Sequence, residues 1–155
     1  MPDPLPPPLR FAFTAFVDVG TPQEIGETTA GRRRVIPIAG GRVEGPRLTG
    51  EVVPGGADWQ SVRSDGTLEL VARYTLRAAD GTLISVINRG LRRAPPGVLA
   101  RLAAGELVDP TSYYFRATPS FSVAPGPHGW LADSIFVATG ERQARQVVIR
   151  FFELG

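Results

Sequence analysis

Three side chains carry the group types that proton-transfer chemistry needs. Asp58 ends the segment Gly55-Gly56-Ala57-Asp58, and Tyr114 and Arg116 lie two residues apart, so they share one face of a strand. A carboxylate accepts a proton, a tyrosine hydroxyl donates one, and a guanidinium binds an anion through two parallel hydrogen bonds. We therefore predict that Asp58 is the base, Tyr114 the acid and Arg116 the anion-binding group, all within roughly 10 Å of one point in a pocket.

Each of these assignments has a plainer alternative. Asp58 could only tie down the backbone of a glycine-rich turn, since aspartate often bonds the chain near itself. Tyr114 and Arg116 could lie on an outer face, which is the usual place of arginine. The sequence does not decide between a lumen and the solvent for this face.

Five further residues are candidate ligand contacts. Arg73 would join the anion site if its face of the strand lines a lumen, and otherwise it is solvated. Asn88 lies among apolar neighbours and is either a structural amide or a ligand-orienting group. His128 lies in a Pro-Gly turn. It is either an exposed loop residue or a general base that acts near neutral pH. Trp59 would project beside Asp58, and Trp130 would pack in the core or at the rim.

Several function classes have no support in the sequence. The chain has no cysteine and one histidine, which removes disulfides and cysteine nucleophiles and leaves too few ligands for structural zinc. It has no G-x-S-x-G, GxxxxGK[ST] or GxGxxG motif. We therefore expect neither a metal nor a cofactor.

The charge pattern argues against nucleic acid as a partner. The 17 basic residues are all arginine, they face 15 acidic residues, and they are spread along the chain instead of forming one basic stretch. No apolar run reaches the roughly 18 residues of a membrane span. Because residues 1–8 also lack the features of a secretory signal, we expect a cytoplasmic protein.

The elements that must hold the candidate groups are short β-strands. Five prolines in residues 1–8 predict an extended, disordered tail, and 9–155 is long enough for one domain. Asp80-Gly81 predicts a tight hairpin, Gly140-Glu141 a second turn, and Pro95 to Gly105 a short helix. The predicted strands are residues 10–19, 33–39, 48–53, 59–63, 67–78, 82–92, 112–123, 131–139 and 144–154.

A single antiparallel, calycin-like β-barrel with one short helix accommodates these strands best. The strand 82–92 carries apolar groups on both faces, which suits a closed barrel with a filled or ligand-binding lumen. The final run Val147 to Phe152 is also apolar on both faces. Its outer face needs a cover, either the helix or a second copy of the chain, so we expect a homodimer.

Three stretches resemble a known family. They are Ile38 to Pro46 with Pro54-Gly-Gly-Ala-Asp-Trp-Gln60, Ala72-Arg-Tyr74 through Asn88-Arg-Gly90, and Tyr113-Tyr-Phe-Arg116 with the closing strands. Together they resemble the bacterial and fungal domain of unknown function family 3237 over roughly residues 9–154. The resemblance implies a single antiparallel β-barrel, and it implies no settled activity.

Two kinds of function fit such a barrel. The first is a cofactor-independent enzyme of the isomerase, cyclase or lyase type, which acts on a small apolar or aromatic carbonyl compound. The second is a carrier that binds a small hydrophobic ligand without catalysis, and a third, structural dimerising role is weaker. Both leading alternatives use an apolar pocket with few polar groups, so composition does not separate them.

Overall fold

The computed structural model describes residues 1–155, and strands dominate it. Two short helices and one 3-10 turn interrupt nine strands. The elements are β1 (Leu9–Val19), β2 (Gln23–Thr28), β3 (Gly31–Glu44), β4 (Gly50–Val62), β5 (Leu68–Ala78), β6 (Leu83–Arg93), α1 (Pro96–Ala103), a 3-10 turn (Pro110–Ser112), β7 (Tyr114–Val123), α2 (Trp130–Asp133), β8 (Ile135–Arg142) and β9 (Gln146–Leu154).

Eight of the strands close into an antiparallel barrel, as the sequence predicts. The order along the sheet is β1-β9-β8-β7-β6-β5-β4-β3-β2, and a further pairing of β1 with β3 closes the cylinder. The closing pairs run from Val19 opposite Ile38 to Thr14 opposite Glu44. β2 pairs only with the first residues of β3 and lies outside the closed ring. Closure leaves the eight barrel strands without a free edge.

The predicted strand boundaries are wrong at three places. Residues 48–53 and 59–63 belong to one long strand, β4, because Pro54-Gly55-Gly56 forms a bulge and not a turn. β2 is missing from the prediction because its polar sequence QEIGET lacks apolar alternation. Gly140 lies inside β8, and the last turn falls between Arg142 and Gln146.

One end of the barrel is filled by aromatic side chains. Phe13 stacks on Phe151 with ring centroids 4.4 Å apart, and Phe121 meets Phe136 edge to face at 5.1 Å. All four rings are buried, and three have no exposed surface beyond 1%. Burial of this area is the main stabilising contribution at this end, since each large side chain contributes roughly 1.5–3 kcal/mol.

The two helices differ in what they cover. α1 lies within the predicted 95–105 segment and buries Leu102. α2 begins at Trp130 and takes up the first residues of the predicted strand 131–139, which starts only at Ile135, and its Leu131 is buried in the core. The Arg47 guanidinium stacks over the Trp130 ring at 3.8 Å. α2 therefore closes the aromatic end of the barrel.

Residues 1–8 form neither helix nor strand and lie exposed. The carbonyl of Pro8 accepts a hydrogen bond from the amide of Gly155 at 2.9 Å. Neither helix has the length and apolar character that crossing a membrane requires.

Candidate functional site

A cavity occupies the barrel end opposite the aromatic cluster. Its empty space is about 690 Å³, the open mouth included, and 11 of its 18 lining residues are hydrophobic. A mostly apolar lining with a few polar side chains is typical of a site for a small organic ligand. The polar side chains that line it are Arg34, Asp58, Gln60, Tyr74, Asn88, Arg92 and Arg142. Nowhere does the structure bring three His, Asp or Glu residues into a cluster that could hold a metal ion.

The bulge in β4 places Asp58 in this cavity. The pairing of β4 with β5 shifts register between Val53 and Ala57, and Gly55 has a φ of +115°, which favours glycine. A Cβ on Gly56 would lie 2.5 Å from the carbonyl oxygen of Arg73, so only glycine allows this approach of the strands. Bulges commonly redirect side chains beside functional sites. Asp58 is thus a strand residue, and its glycine-rich segment forms a bulge instead of the turn that the alternative interpretation assumed.

Asp58 is a carboxylate with an unused acceptor. Its Oδ2 accepts a hydrogen bond from Gln60 Nε2 at 2.7 Å, and Gln60 Oε1 in turn accepts one from Arg34 Nε at 2.6 Å. Its Oδ1 is buried and has no partner. Burial raises the pKa of Asp58 to about 6, against the opposing effects of the Gln60 bond and of Arg92, Arg34 and Arg142.

Two neutral groups share the lumen with this carboxylate. Asp58 lies opposite Ala72 on β5, and Ala72 lies opposite Asn88 on β6, so Asp58 and Asn88 belong to one row across the sheet. The Tyr74 hydroxyl and the Asn88 Oδ1 are both buried without a hydrogen-bond partner. Burial, and secondarily the charge of Asp58, raise the pKa of Tyr74, so its hydroxyl stays protonated.

Three arginines line the same space. Burial lowers the pKa of Arg92 to about 10 and also lowers the pKa values of Arg34 and Arg142. Arg92 Nε is buried without a partner. The backbone amide of Arg142 donates to the Tyr113 hydroxyl at 2.9 Å, which fixes the end of β8. Phe115, which also lines the cavity, packs directly over Gly140, because any Cβ at residue 140 would lie 2.6 Å from the Phe115 ring.

The expected convergence of Asp58 with Tyr114 and Arg116 is wrong. β7 alternates, with Phe115 and Ala117 buried and both Tyr114 and Arg116 exposed on the outer face. Arg116 donates to its neighbouring carbonyl of Phe115 at 2.9 Å, and its guanidinium lies 5.6 Å from the Tyr114 ring centroid. These two side chains therefore contact each other in a surface groove and do not reach the cavity.

Of the five expected ligand contacts, the structure places only Asn88 in the cavity. Trp59 and Arg73 point outward, because they alternate with Asp58 and Tyr74 on their strands. His128 lies at the aromatic end, where its Nε2 is 2.9 Å from Asp80 Oδ2. Trp130 packs there against Phe136 with centroids 5.9 Å apart.

Five cavity residues were not recognised in the sequence as site residues. Tyr74 lies in the apolar alternation of β5, which is typical of core positions, and Gln60 lies two residues after Asp58 and so shares its face. The arginines lie at strand ends, where inward and outward positions look alike in a sequence. The alternation of strand side chains would have predicted one of these arginines, since Arg92 lies four residues after Asn88 and therefore on the same face. The five residues are Arg34, Gln60, Tyr74, Arg92 and Arg142.

The fold and the site define a class, the closed antiparallel β-barrels that hold an internal cavity at one end. Within that class the chain belongs to the family described as Protein of unknown function (DUF3237), whose family model matches residues 7–154. The family resemblance read from the sequence is therefore confirmed.

Bacterial relatives share the whole barrel. A UPF0311 protein of Bradyrhizobium diazoefficiens is 42% identical over 140 residues, covering 90% of this chain and 91% of the relative. The crystal structure of a conserved protein of unknown function from Rhodopseudomonas palustris matches with a TM-score of 0.95 at 37% identity, covering 99% of this chain and 100% of that one.

A fungal relative has a named reaction. The hydroalkoxylation enzyme phnH of Penicillium herquei is 31% identical over 83 residues, which cover 54% of this chain and 55% of that protein. A crystal structure of an enzyme from the same fungus matches with a TM-score of 0.74 at 20% identity, covering 100% of this chain and 99% of that one. At that identity the structural match shows a shared fold.

Proposed function

We propose that the protein is a cofactor-independent enzyme that moves a proton on a small apolar or aromatic carbonyl compound held in the cavity. The observation that carries this proposal is Asp58, a buried carboxylate whose Oδ1 has no partner in a cavity with a mostly hydrophobic lining. A buried acceptor without a partner costs stability, on the order of 1–3 kcal/mol, so a bound substrate that satisfies it is a natural explanation.

Asp58 has the acidity that such a step requires. A pKa of about 6 leaves its carboxylate mostly ionised at pH 7, yet basic enough to take a proton from a hydroxyl or a carbon acid. After protonation it can return the proton to a different atom of the same substrate. Isomerisation, cyclisation and elimination all use this exchange, and none of them needs an external oxidant or reductant.

Tyr74 takes the donor role that the sequence assigned to Tyr114. Its hydroxyl is buried, protonated and without a partner in the cavity. A donor of this kind stabilises the negative charge that develops on a carbonyl oxygen when a neighbouring atom loses or gains a proton. Asn88 adds a second polar side chain from the next strand.

The fungal relative favours addition to a double bond among these reactions. Hydroalkoxylation places an O–H bond across a C=C bond: the oxygen bonds one carbon, the π bond breaks, and the proton moves to the other carbon. In the proposed step Asp58 accepts the hydroxyl proton and then delivers it to carbon. The reaction for which the relative is named supports this choice, and the matched region covers about half of the chain.

The cyclisation of 2′-hydroxychalcone to flavanone is a suitable test. Its phenol oxygen adds to the conjugated C=C bond, the carbonyl offers an oxygen to Tyr74, and the reaction is followed by loss of the chalcone absorbance. We expect the protein to accelerate it, and Asp58→Asn to reduce the rate by at least about 100-fold. The rate should rise with pH as Asp58 ionises near pH 6.

Arg116→Gln is the matched control, because this side chain lies on the outer face and should leave the rate unchanged. A rate in Asp58→Asn equal to that of the unmodified protein would contradict the proton-transfer role. Binding of 2′-hydroxychalcone without any acceleration would instead favour the carrier alternative, for which the apolar cavity is also suited.

A further inference from the structure

The charges that face the cavity do not balance. Arg34, Arg92 and Arg142 line it with three positive charges, and Asp58 contributes one negative charge. Glu24 is the acidic side chain within 4.0 Å of a cavity arginine: it lies 3.9 Å from Arg34, and closer to Arg32, at 3.5 Å. Burying cations without partners is costly, so this excess of positive charge needs an explanation.

Arg92 and Arg142 have no carboxylate of the chain as a partner. Neither guanidinium lies within 4.0 Å of any acidic oxygen, Asp58 included. Arg92 Nε has no hydrogen-bond partner of any kind. Arg34 differs, because its Nε donates to Gln60. Two guanidinium groups in the cavity are therefore available to an anion that the chain itself does not supply.

Arginines on the surface have different surroundings from those in the cavity. Arg63, Arg77 and Arg101 lie half exposed, and each forms an ion pair with a glutamate. Solvent would screen these three charges even without partners, whereas the cavity arginines are only partly exposed and are screened less. Other surface arginines, such as Arg73 and Arg116, have no ion pair but are exposed to water, so the lack of a partner matters most for Arg92 and Arg142.

We propose that the ligand of this cavity carries an anionic group, a carboxylate or an ionised hydroxyl, which Arg92 and Arg142 bind while its apolar body packs against the lumen. The inference rests on the proposed function in one respect: it takes the substrate of that reaction to be the ligand of this cavity, and it adds that this substrate is negatively charged. Planar guanidinium groups bind a carboxylate through paired hydrogen bonds, so two of them select for charge as well as shape.

Benzoate and benzamide are the probes, because they share size and ring and differ in charge. Isothermal titration calorimetry measures the affinity of each for the intact protein. We expect benzoate to bind at least about ten-fold tighter than benzamide, which is the ratio expected for one charge-assisted hydrogen bond.

Variants locate the anion. Arg92→Gln and Arg142→Gln should each weaken benzoate about ten-fold or more and leave benzamide unchanged. Arg92→Lys keeps the charge and should retain part of the preference, and Arg116→Gln on the outer face should change nothing. Asp58→Asn removes a negative charge from the cavity and should tighten benzoate. Circular dichroism melts confirm that each variant folds.

Benzoate binding no tighter than benzamide, including no measurable binding of either, overturns the inference. So does a benzoate preference that survives both glutamine variants. The proposed function fails separately: if Asp58→Asn keeps full chalcone cyclisation while benzoate is preferred, the anion site stands and proton transfer by Asp58 does not. If Asp58→Asn abolishes cyclisation without any benzoate preference, only the anion site falls.

Discussion

The two ends of the barrel are built from the same strands but differ in packing: one is filled with side chains and the other contains a cavity. At one end Phe13, Phe121 and Phe151 meet in close ring contacts, and α2 closes the cylinder. At the other end the strands stay open around a cavity, and buried polar atoms of Asp58 and Tyr74 have no partner in the chain.

The difference shows where stability and chemistry are separated along the barrel axis. Close packing at the aromatic end supplies favourable burial and leaves no room for a ligand. Unpaired polar atoms at the cavity end cost stability and supply reactivity. Local energetic cost of this kind is common at functional sites, where the rest of the fold must offset it.

The largest expected effect comes from the aromatic end. Phe151→Ala deletes a fully buried ring that stacks on Phe13, and we expect the free energy of unfolding to fall by about 3–5 kcal/mol. Urea denaturation measures this loss. Phe11→Ala is the control, since Phe11 is 42% exposed on the outer face and should cost less than about 1.5 kcal/mol. Equal losses in the two variants would remove the distinction between the ends.

A smaller effect of opposite sign is expected at the cavity end. The pKa of Asp58 is about 6 in the folded protein against an ordinary 3.8, so the folded state binds the proton more tightly. The resulting stability is fully present below pH 3.8 and is lost as pH rises through 6. Between pH 4 and 7.5 the unmodified protein should lose about 2–3 kcal/mol relative to Asp58→Asn.

Urea denaturation at both pH values gives this difference directly. Asp133→Asn removes an exposed carboxylate on α2 and serves as the control. The difference in unfolding free energy between Asp58→Asn and the unmodified protein could instead stay constant with pH. That result would show that burial does not disfavour the ionised form of Asp58.

The smallest effect separates two tyrosines near the cavity. Tyr74→Phe removes a hydroxyl without a partner, so the free energy of unfolding should change by less than about 1 kcal/mol. Tyr113→Phe removes a hydroxyl that accepts a hydrogen bond from Arg142 N, and should cost about 1 kcal/mol. Thermal melts compare the two. A larger loss in Tyr74→Phe would mean that its hydroxyl is satisfied in solution.

The barrel was predictable because alternation is a local property. β5 reads Leu68, Leu70, Ala72 and Tyr74 on one face, and this face lies inside. The same rule, applied to Tyr113, Phe115 and Ala117, would have predicted that these residues face the barrel interior and that Tyr114 and Arg116 face outward. Choosing Tyr114 and Arg116 for their chemistry set that rule aside, and the structure places both outside.

The cavity was less predictable because it depends on contacts between distant strands. Asp58 was found through its glycine-rich segment, yet the arginines that share its cavity come from β3, β6 and β8, and in the sequence they resemble ordinary solvated strand ends. Which end of a barrel stays open follows from what fills the other end. Trp130 and Leu131 close the aromatic end. They lie on α2, a four-residue helix whose sequence predicted part of the strand 131–139.

The pairing of β1 with β9 has a consequence for how the chain reaches this structure. Leu9 lies opposite Leu154, so the first barrel strand to leave the ribosome must wait for the last one. Its other neighbour, β3, is available much earlier. Contacts this far apart in sequence slow folding, since a long loop must close before they form. During synthesis the nascent chain therefore carries an unsealed sheet, whose apolar inner face is exposed to aggregation until the final strand arrives.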